Sequence, residues 1–439
     1  MSETTVTEPD EALVVSHDVV ELPISPRRRA LTGGGIVLAG VIMFLAFGLG
    51  ARNGDAAFNL SQFGDKVVIP IVRFPGGAVS MVFGGLVVLI GLGQIVRGYS
   101  RKALRYAVSV TVALFVLAFL CWAGTGNPEL PISLSALVGL SVIAAIPLIL
   151  GALSGVVSER SGVINIAIEG QMLVGAFAGA LFGSSAHNLG IGVVAAIIAG
   201  GLIGLLLAVF SIRYQVNQVV VGVVLNAFAL GLTNLGFQSL MNTDSDSYNA
   251  GNVLGSIRIP LLADIPVIGQ TLFDTNLIVY ATYVLIVVVD VALFRTRWGL
   301  RTRAVGEHPK AADTVGINVL RIRYRNVFIS GLIAGLAGAA LTIGGSGAFN
   351  ENISSGKGFI ALAAVIFGRW RPKGALAAAL LFGFCDELQV LLTTGNNTPV
   401  TIPSAFLQML PYVITIVAVA GFVGQVQAPA ADGEPYAKG

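Results

Sequence analysis

Long apolar runs recur along the chain, each near the 20 or so residues that a helix needs to cross the hydrocarbon of a bilayer. They fall at 31–50, 78–96, 106–124, 133–157, 163–183, 189–212, 217–241, 276–294, 327–348, 357–368, 374–393 and 404–424. In lipid every backbone polar group must find an internal partner, and runs of this length do so as helices. The fold class read from the sequence is therefore all-α: a polytopic transmembrane helical bundle of about 12 spans, in which the opposed runs 163–183 and 357–368, both opening Gly-hydrophobic-Ile after a polar stretch, fit an inverted repeat. The tenth run is short and follows Asn350, Glu351, Asn352, Ser354 and Ser355. That pattern predicts a broken or re-entrant helix buried in protein. Charge supports the reading, because 11% of residues are charged, against roughly 25% in a soluble domain.

The few charges are not scattered evenly. With the N-terminus placed in the cytoplasm, basic residues on that side fall in Arg27–Arg29, Arg97–Arg105, Arg160, Arg213, Arg295–Arg325, Arg369–Lys373 and Lys438. The opposite side keeps only Arg52, Lys66, Arg73, Arg258 and Lys357. Basic side chains accumulate on the cytoplasmic side of membrane proteins. The expected topology is a multi-pass protein of the cell membrane with both termini cytoplasmic. Arg27–Arg29 precede a first run that reads as a retained helix rather than a cleaved signal. Residues 1–25 and 428–439 read as solvated tails.

Several kinds of chemistry are not written in the chain. The nearest approach to a phosphate-binding loop is Ser355-Gly356-Lys357-Gly358, where Gly follows the Lys and no Gly stands at 351. There is no zinc-ligand spacing, and His17, His187 and His308 lie far apart. Cys121 and Cys385 sit in apolar runs and read as buried packing residues. Neither catalytic nor metal-binding residues are expected, nor a cofactor, an enzymatic activity or a nucleic-acid partner. Uphill movement of a solute would draw its energy from a partner protein or from an ion gradient.

Four segments carry polar groups that packing alone does not require. The loop from Arg295 to Arg325 holds eight basic residues against Glu307 and Asp313. Pro309 suits the first turn of a short helix running through Lys310, Ala311, Ala312 and Asp313, with Gly316 ending it. Such a helix, with Arg301 and Arg303 ahead of it, suits docking of a motor protein; an ordinary basic loop is the alternative. In the second segment, Asn165 and Glu169 stand four apart, a spacing that shares one helical face. Glu169 is a candidate for the solute pathway, or else a structural carboxyl bonded to a neighbouring helix. In the third, Asn226 and Thr233 either bond a solute or join helices. In the fourth, Asp386-Glu387 near the outer end of a span suits rim solvation or proton coupling.

Three ordered motifs resemble the permease subunits of bacterial ABC importers for nucleosides and simple sugars, related to the branched-chain amino acid and ribose permeases. They are Glu159-Arg160-Ser161-Gly162 through Glu169-Gly170, Gly299-Leu300-Arg301 through Gly316-Ile317, and Gly358-Phe359-Ile360-Ala361-Leu362 through Gly368-Arg369-Trp370. The resemblance covers about residues 133–424. It implies import by alternating access, with a second permease subunit, ATP-binding subunits and an extracytoplasmic solute-binding protein as partners, in contact with membrane lipid. It also implies that the loop from Glu307 to Gly316 docks the ATP-binding subunit. The resulting division is a tail at 1–30, additional spans at 31–130, a permease core at 131–424 and a second tail at 425–439. An ion-coupled secondary transporter using Glu169 or Asp386-Glu387 is the rival reading.

Overall fold

A computed structural model describes residues 26–51, 53–61, 68–126, 131–394, 409 and 427–437. Among the described residues, nine helices are long and apolar enough to cross a membrane. The predicted run at 404–424, apart from residue 409, and the tail at 1–25 lie outside the described residues.

Two compact units are present. The first holds helix α1 (Pro26–Ile42, continued by a wider π-type turn at Met43–Leu49), α2 (Gly76–Val96) and most of α3 (Arg101–Gly124). Small residues let α1 and α2 approach closely. A Cβ added at Gly84 would lie 2.7 Å from the Phe44 nitrogen, and one at Gly91 2.7 Å from that of Val37. Aromatic rings close the other side, with Phe47 edge-on to Phe115 and Phe119. Arg29 donates to the carbonyls of Gln94 and Ile95 at the end of α2, where unpaired carbonyls favour a cation.

The second unit holds the remaining helices: α4 (Leu134–Glu159), α5 (Ile168–Ser185), α6 (Leu189–Ala208), α7 (Gln218–Gly236), α8 (Ser245–Tyr248) and α9 (Gly269–Phe273). After these come α10 (Leu277–Arg295), α11 (Arg297–Glu307), α12 (Pro309–Thr314), α13 (Val319–Leu341), α14 (Lys357–Phe367) and α15 (Pro372–Thr394). A small sheet orders β1 (Asp55–Asn59) between β2 (Val72–Pro75), antiparallel, and β3 (Ile132–Ser133), parallel. A second ribbon pairs β4 (Ile257–Arg258) with β5 (Asp274–Thr275).

Polar residues flanking the apolar runs explain where these helices begin. Asn188, Asn217 and Asn276 each accept two backbone N–H groups at the first turn of α6, α7 and α10. Thr296 and Asn318 cap α11 and α13 with one such bond each. Each cap satisfies donors that no intrahelical carbonyl can reach. The core forms around α4 and α13, whose apolar side chains pack with α10, α14 and α15. On α13, a Cβ at Gly331 would lie 2.6 Å from the Gly200 carbonyl, and Gly335 sits as tightly on Ala196 of α6.

Two expectations change. The run at 163–183 is not one helix: residues 163–165 have no regular structure and α5 begins at Ile168. The reason is local, since Gly162 adopts a positive φ of 84° that breaks the turn after α4. The final residues are also not a solvated tail over 427–437, because Ala431 and Tyr436 are buried. The tenth run does form a short helix, α14, of 11 residues.

Candidate functional site

The chain between α4 and α5 organises both ends of the short helix α14. Glu169, in the first turn of α5, turns its carboxylate onto the N-terminus of α14. Its Oε1 accepts from the Ser354 hydroxyl at 2.6 Å and from the Gly356 amide at 2.8 Å. Its Oε2 accepts from the Gly358 amide at 2.6 Å. A carboxylate at a helix N-terminus satisfies orphan donors and meets the favourable end of the helix dipole. The approach demands glycine at 358, since a Cβ there would lie 2.5 Å from the Glu169 backbone.

At the other end of α14, Arg369 and Trp370 both adopt left-handed backbone, with φ of 54° and 52°. Non-glycine residues hold that conformation only when surroundings impose it. Arg160 supplies the restraint, donating from Nε to the Trp370 carbonyl at 2.8 Å and from Nη2 to that of Arg369 at 3.2 Å. The Trp370 indole N–H donates to Glu159 Oε2 at 2.5 Å. One stretch, Glu159 to Glu169, therefore clamps a helix nearly 200 residues away at both termini.

Asn165 lies before α5 and bonds other partners than Glu169 does. It is fully buried, and its amide donates to Ser330 Oγ at 2.8 Å and to Gln171 Oε1 at 3.0 Å. Ser154 and Ser330 complete the cluster at 2.9 Å. This network joins α4, α5 and α13 through the unwound link, and its satisfied polar groups fix one arrangement of the three. Asn226 on α7 holds the same link from outside. It accepts from the Gly170 amide at 2.8 Å and donates to the Ile166 carbonyl at 2.9 Å. Thr233 is buried, and its hydroxyl donates to the Ala229 carbonyl of its own helix.

The basic loop folds as a helical corner. The short helix α12 has Pro309 in its first turn, and Gly316 follows it with φ of 81°. Ahead of it, α11 is an additional helix capped by Thr296. Ala312 is buried against Val305, Val319, Ile322 and Tyr436. Lys310 and Ala311 face outward, as do Arg301 and Glu307. Arg303 lies over the Phe294 ring at 5.2 Å. Glu307 sits 4.0 Å from Arg160 and is half exposed, a geometry of little energetic weight.

Asp386, considered above for proton coupling, is paired with Lys357 at 2.8 Å. Sequence reasoning quoted Glu159, Arg160 and Trp370 within motifs without giving them a role. It did not single out Ser154, Gln171, Ser330 or Arg323. Polar residues inside apolar runs were the available signal for the serines and Gln171.

The sequence profile described as "Branched-chain amino acid transport system / permease component" matches residues 137–422. The chain belongs to this family of ABC transporter permeases and is a multi-pass membrane protein rather than an enzyme. Relatives include the guanosine ABC transporter permease protein NupQ of Bacillus subtilis, 43% identical over 320 residues, covering 70% of this chain and 98% of the relative. The nucleoside ABC transporter permease protein NupC of Lactococcus lactis is 39% identical over 315 residues, with the same two coverages. The glucose ABC transporter permease protein TsgB13 of Haloferax volcanii is 25% identical over 296 residues, covering 63% of this chain and 74% of the relative. No solved structure matches the chain. As a permease of this family it works with an ATP-binding subunit and a solute-binding partner.

Proposed function

We propose that this chain carries nucleosides into the cytoplasm as one of two permease subunits of an ABC importer, with both termini cytoplasmic. The supporting observation is the pair of relatives named for guanosine and nucleosides, each matched over 98% of its length. The ATP-binding subunit docks on the corner formed by α11 and α12, touching the outward face of Arg301, Glu307, Lys310 and Ala311. Pro309, Ala312 and Gly316 hold that face in shape, and Arg303 anchors it to α10. An extracytoplasmic binding protein delivers the solute to the opposite end, and lipid surrounds the bundle. Along the pathway, Asn165, Glu169, Asn226 and Thr233 set the geometry of the unwound link and of α14, which open and close together.

The test is guanosine uptake by proteoliposomes holding the complete transporter, measured beside ATP hydrolysis. Glu307→Lys combined with Ala311→Trp is expected to lower uptake per ATP by about tenfold or more, the span of a typical coupling free energy, while the protein remains inserted. Unchanged uptake would remove the corner as the docking site. A cysteine at Lys310 that labels only from outside intact cells would overturn the orientation.

A further inference from the structure

Ala428–Tyr436 is an extended stretch with two overlapping turns, closed by the Asp432 amide donating to the Pro429 carbonyl at 3.0 Å and the Glu434 amide to that of Ala431 at 3.3 Å. It touches both sides of a junction. On the corner, the Ala431 amide donates to the Gly306 carbonyl at 2.9 Å, and the Ala430 amide to Glu307 Oε2 at 3.2 Å. The Tyr436 ring packs with Val305 and Ala312, so the segment grips α11 and α12 at two places. On the link, the Ala431 carbonyl and the Arg323 guanidinium both press on Gly162, where a Cβ would lie 2.9 and 2.7 Å from them. Gly433, with φ of 83°, stacks as closely on Ile164.

Arg323 locks the assembly. It is 2% exposed, and it donates to the Glu434 carbonyl at 2.8 Å and to the Ala431 carbonyl at 3.5 Å. A buried guanidinium left without acceptors is strongly unfavourable, so the segment and Arg323 hold each other in place. Loose solvation would not bury Ala431 and Tyr436 or supply carbonyls to a buried arginine.

We infer that Ala428–Tyr436 is a positioning segment that transmits displacement of the α11–α12 corner to the Gly162–Asn165 link, and through it to α14. This rests on the docking of the ATP-binding subunit proposed above. The segment is neither a plug nor a docking surface. Its contacts run from the corner to the link, so removing it separates hydrolysis from transport without removing either partner.

The test uses the complete transporter in proteoliposomes and compares three substitutions in the full chain. Ala431→Trp and Tyr436→Ala are expected to lower guanosine uptake per ATP hydrolysed by about fivefold or more, with the ATP-binding subunit still co-purifying in full. Tyr436→Phe, which keeps the ring against Ala312, is expected to restore the ratio. An unchanged ratio in the first two overturns the inference, and so does a rise in uptake, which would mark an inhibitory plug. Loss of co-purification overturns it in favour of a docking surface. If Glu307→Lys with Ala311→Trp leaves the ratio intact while Tyr436→Ala lowers it, the docking proposal fails and the segment's link to transport stands. Absence of guanosine uptake by the unsubstituted transporter counts against the solute alone, because the ratio can be read with another nucleoside.

Discussion

The first unit and the permease core solve the problem of packing helices in lipid differently. In α1, α2 and α3, between 28% and 33% of each apolar window is buried; in the core α4 and α13 reach 67%, while α7 and α10 at its edge stay at 28%. The first unit holds together through glycine contacts, rings and neutral polar bonds such as Ser80 to the Ala118 carbonyl, and its ionisable groups stand near helix ends. The core accepts expensive polar groups in its interior: a carboxylate on a helix N-terminus, an Asn-Gln-Ser-Ser cluster and an arginine sealed by carbonyls. Polar groups inside a membrane are retained where they do something. The second unit is also where the family profile begins, at residue 137.

Three changes probe that contrast. The largest effect is expected from Glu169→Ala, which strips three donors of one charged acceptor. With each such bond worth about 1.5–3 kcal/mol, the loss should reach about 3 kcal/mol or more. The measurements are thermal unfolding in detergent and uptake, both falling sharply. A Glu169→Ala protein with wild-type stability would break the claim that the core depends on its buried charge.

A middle-sized effect should follow from pH at the C-terminal segment. Burial pushes the Asp432 carboxyl up to about 9 from its ordinary 3.8; the nearby Glu159 carboxyl of α4 adds to the rise and Arg323 of α13 opposes it. A carboxyl whose docked value lies above its free value takes up a proton on docking. Docking is therefore fully favoured below 3.8 and is lost as pH rises through about 9. Hydrogen exchange of the Ala431 amide, corrected for intrinsic rate, should lose protection across that window, and Asp432→Asn should flatten the loss. Equal pH dependence in the variant would exclude Asp432 as its source.

The smallest effect is expected from deleting residues 1–125. Uptake per inserted molecule should stay near that of the full chain, since none of the clamping residues lies in the deleted part. Complete loss of uptake by an inserted, folded truncation would show that the deleted residues, which include β1 and β2 of the second unit, share in transport.

Much of this architecture was legible in the residues. The short helix opened by Pro309 and closed near Gly316 and the shortened helix after Ser355 both follow from rules acting within a turn or two. The pairing of Asn165 with Glu169 was misjudged for the same reason. A spacing of four implies a shared face only if the helix is continuous, and the positive φ at Gly162 precedes a link that is not. The C-terminal residues looked solvated because a short polar stretch without period carries no trace of what covers it.

By itself, then, the sequence determined that the chain is a helical membrane protein, and which permease family it belongs to. Hydropathy and charge act residue by residue, so a window of 20 suffices to read them. Only the tertiary structure decided that Glu169 reaches Gly358, that Arg160 restrains Trp370, and that Arg323 is closed over by Ala431 and Glu434. These partners stand more than 100 positions apart. A buried polar group chooses its partner by three-dimensional proximity, and that proximity exists only once the helices have packed.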